Sequence, residues 1–303
     1  MINSSQAYSS SDLIPEVFNA DVHDYWVLLK PRVMSLVVFT SLCGLMMAPG
    51  VIHPVLAFSA ILSIAVGAGA AGCLNMWWDR DIDAIMTRTK KRPIPIGNVH
   101  PDSALAFGVI LSVISVMTMG VAIHWLAASL LAVTILFYMV IYTMWLKRWT
   151  PQNIVIGGAA GALPPLIGWA AVTGTTPLEA WILFGIIFLW TPPHFWALSL
   201  YNHEDYKRAN VPMLPVTAGI EATKRQIVFY TVLLVLLSVV PSFIGMTTWF
   251  YGSVASFLGL AFLGLAWRVK SRDDSKLAMR LFAYSIIYLF ALFLALTLDR
   301  IFL

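Results

Sequence analysis

Long apolar runs separated by short polar stretches fill most of the 303-residue chain. Each run is close to the ~20 residues that an α-helix needs to cross a bilayer. A closed β-barrel would instead show short segments of alternating polarity, so the continuous runs favour helices. The pattern predicts an all-α polytopic membrane protein with nine transmembrane helices, at about residues 27–48, 53–76, 103–122, 124–146, 152–172, 177–199, 226–247, 249–267 and 280–298.

Composition supports a chain whose main solvent is lipid. It is 59% hydrophobic and only 11% charged, whereas soluble domains carry about 25% charged residues. The two cysteines, Cys43 and Cys73, both lie in apolar runs, which indicates neither a disulfide framework nor a metal-binding cluster. We expect one transmembrane domain over residues 25–303, preceded by a tail over residues 1–24 that is disordered or lies on the membrane surface.

Basic residues fall almost entirely on one side of the predicted spans. Eighteen of the 19 lie there: Lys30, Arg32, Arg80, Arg88, Lys90, Lys91, Arg92, Lys147, Arg148, Lys207, Arg208, Lys224, Arg225, Arg268, Lys270, Arg272, Lys276 and Arg280. The other side holds only Arg300. Because basic loops stay in the cytoplasm, this predicts a cytoplasmic N-terminus and an external C-terminus. The net charge of +4 then reflects topology and contact with anionic lipid, not nucleic-acid binding.

The first 24 residues contain four acidic residues and no Lys or Arg. That composition is the reverse of an organellar transit peptide, which is rich in Arg and poor in acids. We therefore expect a bacterial plasma (inner) membrane location.

A polar motif follows the second predicted span. Asn75, Asp79 and Asp83 are four residues apart, so on a helix their oxygens share one face and can converge on one cation. Mg²⁺ prefers such ligands together with phosphate oxygens. The alternative is a solvated acidic helix end. Asp81 falls on the opposite face, where we expect it to pair with Arg80 or another neighbour.

A basic run lies directly downstream of this motif. Arg88 and Arg92 are four residues apart, so both guanidinium groups can bind one anion. Together with Lys91 and Lys207, they are the expected diphosphate-binding residues. Carboxylates that hold Mg²⁺ beside fixed cations suit a diphosphate substrate.

A second polar constellation spans residues 190–216. His194, Tyr201 and Asp205 lie on one face if the helix extends beyond residue 199. Pro192 and Pro193 are expected to break the backbone hydrogen bonding just before His194. Because burying an ionisable residue within a membrane is costly, His194 is a functional candidate, the alternative being a purely structural hydrogen bond.

These motifs resemble those of the UbiA-type intramembrane prenyltransferases. The first motif, with the Arg-Thr-Lys-Lys-Arg-Pro run from Arg88, is similar to that family's diphosphate motif. The run Trp-Thr-Pro-Pro-His-Phe-Trp over residues 190–196, with Asp205-Tyr206 and Val-Pro-Met-Leu-Pro over residues 211–215, is similar to the haem-modifying branch. The resemblance covers the chain from about residue 25. It departs from the wider family at Tyr201, which replaces the first of two aspartates in the second motif.

The resemblance implies nine helices around a central cavity that opens to the cytoplasm. It implies transfer of a farnesyl group from farnesyl diphosphate to a vinyl group of haem B (protohaem IX), giving haem O. Mg²⁺ would be held by Asn75, Asp79 and Asp83; Asp205 would be catalytic; His194 and Tyr201 would bind haem. His194 would act as an iron ligand or as a base for water. Haem B is then a substrate, and haem A synthase or terminal oxidase assembly are possible partners.

Three other functions remain open on the residues alone. A sister prenyltransferase with an aromatic acceptor, such as a quinone precursor, would have no affinity for haem. A secondary transporter would place ionisable residues near the bilayer midplane and carry flux without chemical turnover. A non-catalytic oxidase assembly factor would tolerate loss of the motif carboxylates.

Overall fold

The computed structural model describes residues 18–272 and 274–302, and every regular element in them is helical. The predicted tail therefore lies mostly outside the described residues, although the first helix begins within it. In chain order the helices are α1 (Val22–Leu28), α2 (Pro31–Met47), α3 (Pro54–Trp78), α4 (Arg80–Ile85), α5 (Pro101–Ala122), α6 (Trp125–Leu136), a π-helical stretch (Phe137–Leu146), α7 (Lys147–Trp149), α8 (Asn153–Ala162), α9 (Pro164–Thr173), α10 (Leu178–Tyr201), α11 (His203–Arg208), α12 (Leu214–Thr217), α13 (Ile220–Phe243), α14 (Trp249–Ser271) and α15 (Ser275–Phe302).

Within the described residues, eight segments are long and apolar enough to span a membrane: α3, α5, Trp125–Trp149, Asn153–Thr173, α10, α13, α14 and α15. The pair α1 and α2, bent by 54°, is a ninth if it counts as one span. The all-α polytopic prediction is confirmed, and the predicted runs match these segments to within a few residues. The largest difference is α13, which begins at Ile220 rather than at residue 226, because the charged residues in its first two turns do not belong to the apolar run on which the prediction was based.

Histidine and proline begin several of the spans. His53, His100 and His124 each accept a hydrogen bond at Nδ1 from the backbone N–H two residues later. These contacts satisfy one of the free donors at the helix start. Proline occupies the first turn of α3 and α5, where its missing N–H removes no helical bond. The three histidines therefore have a local structural role.

Proline inside the spans has two different outcomes. The span Asn153–Thr173 is interrupted at Leu163, immediately before Pro164 and Pro165. By contrast, α10 continues through Pro192 and Pro193 as one helix to Tyr201. Each proline removes one backbone donor, as expected, but the helix itself does not break before His194 because flanking bonds and packing keep it continuous.

The spans pack in a closed arrangement. Helix α3 packs on α5, α2 on α9, α10 on α13 and α15, and α15 returns to α2. At the α2–α9 crossing the backbones touch: a Cβ on Gly44 would lie 2.1 Å from the Pro165 carbonyl oxygen, and one on Gly168 would lie 2.2 Å from that of Ser41. Small residues allow this approach. We call the end of the bundle where α3 and α10 end the charged end.

Candidate functional site

The first motif lies where α3 gives way to α4, at the charged end. Asp79 ends α3 and precedes α4, yet helical hydrogen bonding continues from Asp79 N to the Asn75 carbonyl (2.9 Å) and from Asp83 N to the Asp79 carbonyl (2.8 Å). The three residues therefore follow one another by one helical turn, as their spacing predicts. Their exposed fractions are 5%, 0% and 2%. A solvated helix end would leave them exposed, so that alternative does not hold.

Each motif side chain is bound by a cation from a different part of the chain. Lys30 Nζ donates to Asn75 Oδ1 at 2.6 Å. Lys147, at the end of the π-helical stretch, pairs with Asp79 Oδ2. Arg92 pairs with Asp83 Oδ2 at 2.6 Å. Because buried carboxylates are costly without partners, these three cations stabilise the motif electrostatically.

The amide of Asn75 ties the motif together. Its Nδ2 donates to Asp79 Oδ2 at 2.8 Å and to Thr143 Oγ1 at 3.0 Å. Thr143 belongs to the π-helical stretch, a rare conformation that recurs at functional sites. Residues from α3, from the α1–α2 junction and from the span Trp125–Trp149 thus meet at one point.

Lys30 reaches the motif from a strained backbone. It has φ 51° and ψ 53°, the left-handed conformation that non-glycine residues rarely adopt. Its N–H donates to the Val27 carbonyl at 3.1 Å, and its side-chain stem passes close to Gly72 of α3. Non-glycine strain of this kind persists where the surrounding structure enforces it, often at functional sites.

One motif oxygen has no hydrogen-bond donor. Among the described residues, Asp79 Oδ1 is buried without a hydrogen-bond partner, and Arg148 Nη2 lies 3.7 Å from it. Such an oxygen costs free energy unless a cation or donor completes its shell. Carboxylate and amide oxygens are the ligands of hard divalent cations. The donor set of Asn75, Asp79 and Asp83 therefore fits Mg²⁺.

Asp81 is largely exposed, unlike the buried motif residues, and its partner is Arg148 rather than Arg80. Arg148 donates to both Asp81 oxygens at 2.8 Å, and this hydrogen bonding lowers the pKa of Asp81. Arg80 donates instead to the Trp77 carbonyl. Of the expected partners, Arg80 or another neighbour, Arg80 is not the one used, because the span Trp125–Trp149 places the bidentate partner Arg148 beside Asp81.

The second constellation is divided between two helices. Since α10 ends at Tyr201 and α11 begins at His203, the continuous stripe expected from His194 to Asp205 does not form. Asp205 accepts from Thr87 Oγ1 at 3.0 Å and pairs with Arg208. The two constellations therefore touch, through the loop that follows α4.

Arg88 makes a second link between them. Its guanidinium lies near Tyr206, whose pKa is raised by burial despite that positive charge. Lys91 and Lys207 are exposed, and Tyr201 is 47% exposed. The diphosphate-binding role of Arg88, Lys91, Arg92 and Lys207 stays a prediction, as does haem binding by Tyr201.

His194 is buried between aromatic rings. Its ring stacks on Trp190 at 4.1 Å and on Phe282 at 4.5 Å, and its Nδ1 is 2.6 Å from Ser285 Oγ. The structural hydrogen bond named as the alternative is therefore present. A function for the other ring nitrogen remains compatible with it.

The sequence did not assign Lys30, Lys147, Thr143 or Ser285 to the site. The two lysines were counted only for topology, although the predicted spans place both on the same side of the membrane as Asp79. That shared side was the one signal that pointed to them. Thr143 and Ser285 carried no distinguishing pattern.

Comparison with known proteins agrees with this geometry. The sequence profile of the UbiA prenyltransferase family matches residues 37–296. The chain belongs to this family. A relative from Mesorhizobium japonicum named protoheme IX farnesyltransferase 2 is 60% identical over 286 residues, which cover 93% of this chain and 91% of that one. The protoheme IX farnesyltransferase of Parvibaculum lavamentivorans is 57% identical over 290 residues, covering 94% and 91%.

Solved structures share the fold of this UbiA family member. One, of a digeranylgeranylglyceryl phosphate synthase, has a TM-score of 0.78 at 19% identity and covers 93% of this chain and 99% of that one. A UbiA homologue from Archaeoglobus fulgidus bound to GPP and Mg²⁺ has a TM-score of 0.67 at 17% identity, with coverage of 90% and 99%. The family resemblance inferred from the motifs is confirmed. The names of the Mesorhizobium and Parvibaculum relatives also confirm the resemblance to the haem-modifying branch.

Proposed function

We propose that this protein transfers a farnesyl group from farnesyl diphosphate to a vinyl group of haem B, forming haem O. The observation that carries the proposal is the buried motif of Asn75, Asp79 and Asp83, each bound by its own cation. The names of relatives at about 60% identity, which this chain matches over more than nine-tenths of its length, support haem as the acceptor.

The motif residues would hold Mg²⁺ through their oxygens, and the carboxylates of Asp79 and Asp83 would provide its anionic ligands. When bound, Mg²⁺ supplies positive charge that stabilises the leaving diphosphate. Lys147 and Arg92 offset the charge of the two carboxylates, so a bound Mg²⁺ would leave the site positive overall. That positive charge would favour an anionic substrate and stabilise the negative charge that develops on the diphosphate as the C–O bond breaks.

The remaining residues would bind the acceptor and control water. His194 and Tyr201 would contact haem B, and Asp205 would keep the α11 segment against the loop after α4 through Thr87. The vinyl group attacks the allylic cation, and water then adds to the resulting carbocation on the haem side and loses a proton. Lipid-embedded helices would exclude water from the allylic cation until the vinyl group has reacted.

We also infer that the charged end faces the cytoplasm of a bacterium and that the protein lies in the plasma membrane. The one-sided distribution of Lys and Arg supports this orientation. Haem O would then pass to an enzyme that consumes it, such as haem A synthase, or to assembly of a terminal oxidase.

The position of the charges argues against a transporter. In the described spans, charged residues lie within about two turns of a helix end, as with Glu179 in α10 and Arg280 and Asp299 in α15. A transporter of the alternating-access type binds its substrate near the midplane. The motif of Asn75, Asp79 and Asp83 lies instead at the charged end of the bundle.

Mass spectrometry of extracted haems tests the proposed reaction. Cells that express the chain should contain a species heavier than haem B by one farnesyl group and one hydroxyl group, and cells with an empty vector should not. Haem B alone, with prenylation of an added aromatic acceptor, would favour the sister prenyltransferase.

Replacing Lys30 with methionine should lower kcat/KM about 10- to 100-fold, because a charged hydrogen bond is worth ~1.5–3 kcal/mol. Lys30→Arg should recover part of the loss, since it restores the charge but not the shape. The check is steady-state kinetics with purified protein in detergent. Lys276→Met, which removes an exposed lysine from the start of α15, should change the rate less than about twofold. Equal effects of the two methionine variants would contradict the role of Lys30.

A further inference from the structure

The imidazole of His194 is held on almost every side. Trp190 and Phe282 stack on its two faces, with interplanar angles of 19° and 25°, and Phe195 meets it edge-on at 5.1 Å. Nδ1 lies in hydrogen-bond contact with Ser285 Oγ. The ring therefore has little freedom to rotate, and one in-plane direction, that of Nε2, is left.

The hydrogen bonds of Ser285 decide which ring nitrogen carries the proton. The Ser285 hydroxyl donates to the Phe282 carbonyl at 2.6 Å, and a carbonyl can only accept. Its single proton is thereby used, so Ser285 Oγ must accept at its 2.6 Å contact with His194. Nδ1 of His194 is then the donor. Nε2 of the neutral ring consequently bears the lone pair.

Other contacts keep Ser285 in place. Trp190 Nε1 donates to the Ser285 carbonyl at 2.7 Å, which ties α15 to the same turn of α10 that holds the histidine. Ser285 is thus joined to Trp190, 95 positions away, through the indole and to His194, 91 positions away, through its hydroxyl.

Nε2 is not sealed inside the protein. In the part of the chain that the structure describes, the buried side-chain atoms without a hydrogen-bond partner belong to Trp78, Asp79, Arg148, Asn153, Trp169 and Trp196. Nε2 of His194 has no described hydrogen-bond partner and is not among them, and the residue is 7% exposed, so this nitrogen is not fully enclosed. The lone pair is available to a ligand.

We propose that Ser285 is a positioning residue that fixes the Nδ1–H tautomer of His194, so that Nε2 binds the iron of the haem acceptor. This rests on the proposed function, because it concerns the acceptor of that reaction. Neutral imidazole is a common ligand of haem iron, and the group that binds its other nitrogen sets the orientation and tautomer. Among the described residues, the ring and hydrogen-bond contacts of His194 include no titratable side chain that would relay a proton, which favours an iron ligand over a base.

Haem titration of the purified full chain tests this. Haem B bound to the unaltered protein should give the absorption spectrum of histidine-ligated haem, and His194→Ala should lose that signature. Ser285→Ala should bind haem B about tenfold more weakly, with a shifted spectrum, as is typical when the partner of a ligating histidine is removed. Ser285→Thr, which keeps the hydroxyl, should restore both. Affinity for farnesyl diphosphate should stay unchanged in all variants, which shows that they fold.

Ser199→Ala is the matched control. Ser199 is fully buried in α10 and its hydroxyl also donates to the carbonyl three residues earlier, that of Trp196, but it does not contact His194. It should bind haem B normally. If Ser285→Ala matches Ser199→Ala in spectrum and affinity while the unaltered chain still makes haem O, the positioning role is wrong and the proposed function stands. If the unaltered chain neither binds nor converts haem B, both fail.

Discussion

Replacing Asp79 with asparagine should reduce farnesyl transfer at least about a hundredfold, the scale of removing one preorganised electrostatic contact from an active site. The carboxylate is fully buried, pairs with Lys147 and has one oxygen without a donor. Asparagine keeps its shape but removes the charge that would bind Mg²⁺. It also leaves the Lys147 ammonium without its counter-ion.

The measurement is the initial rate of haem O formation by purified protein at saturating haem B and farnesyl diphosphate, across a Mg²⁺ titration. Asp81→Asn is the matched control, since it makes the same change two residues away at a carboxylate that is 59% exposed and faces Arg148. That variant should keep its rate to within about threefold, because exposed ion pairs contribute little. Similar rates for the two variants would rule out Asp79 as a metal ligand.

Replacing Gly168 with alanine should destabilise the fold by about 3 kcal/mol or more, at the upper end of overpacking effects. The added Cβ would lie 2.2 Å from the Ser41 carbonyl oxygen, and backbone cannot move aside as a flexible side chain can. The α2–α9 crossing would have to open. Because this crossing lies between spans rather than at the charged end, the first consequence is loss of folded protein and not a selective loss of catalysis.

Thermal unfolding in detergent, followed by circular dichroism, checks this. Gly161→Ala is the control: it adds the same methyl group in α8, where no atom lies within 4 Å. Alanine is also the better helix former by about 1 kcal/mol, so this variant should be as stable as the unaltered chain or slightly more so. A Gly168→Ala protein that unfolds at the unaltered temperature would show that the crossing is looser than described.

The spans and the first motif were predictable because each depends on the pattern of residues within one short segment of the chain. Apolar runs report where a helix crosses lipid, and four-residue spacing reports a shared face, which is why Asn75, Asp79 and Asp83 were found. The stripe predicted from His194 to Asp205 did not form, because its spacing assumed that the helix continues beyond Tyr201, where α10 ends.

Partners that come from distant segments could not be predicted from the pattern within one segment. Lys30 and Lys147 reach the motif from 45 and 68 residues away, and Ser285 reaches His194 from 91. Their contacts depend on how the spans pack and on the π-helical stretch, which no periodicity in a single segment encodes. A membrane chain offers one clue that a soluble one does not, since residues at the same depth are candidates to meet.

The three cations on the motif have a practical consequence for handling the protein. Because Lys30, Lys147 and Arg92 bind the motif side chains from within the chain, folding does not require a divalent ion to neutralise the buried carboxylates. Purification in chelating buffer should leave the helices intact, and turnover should return when magnesium is added back.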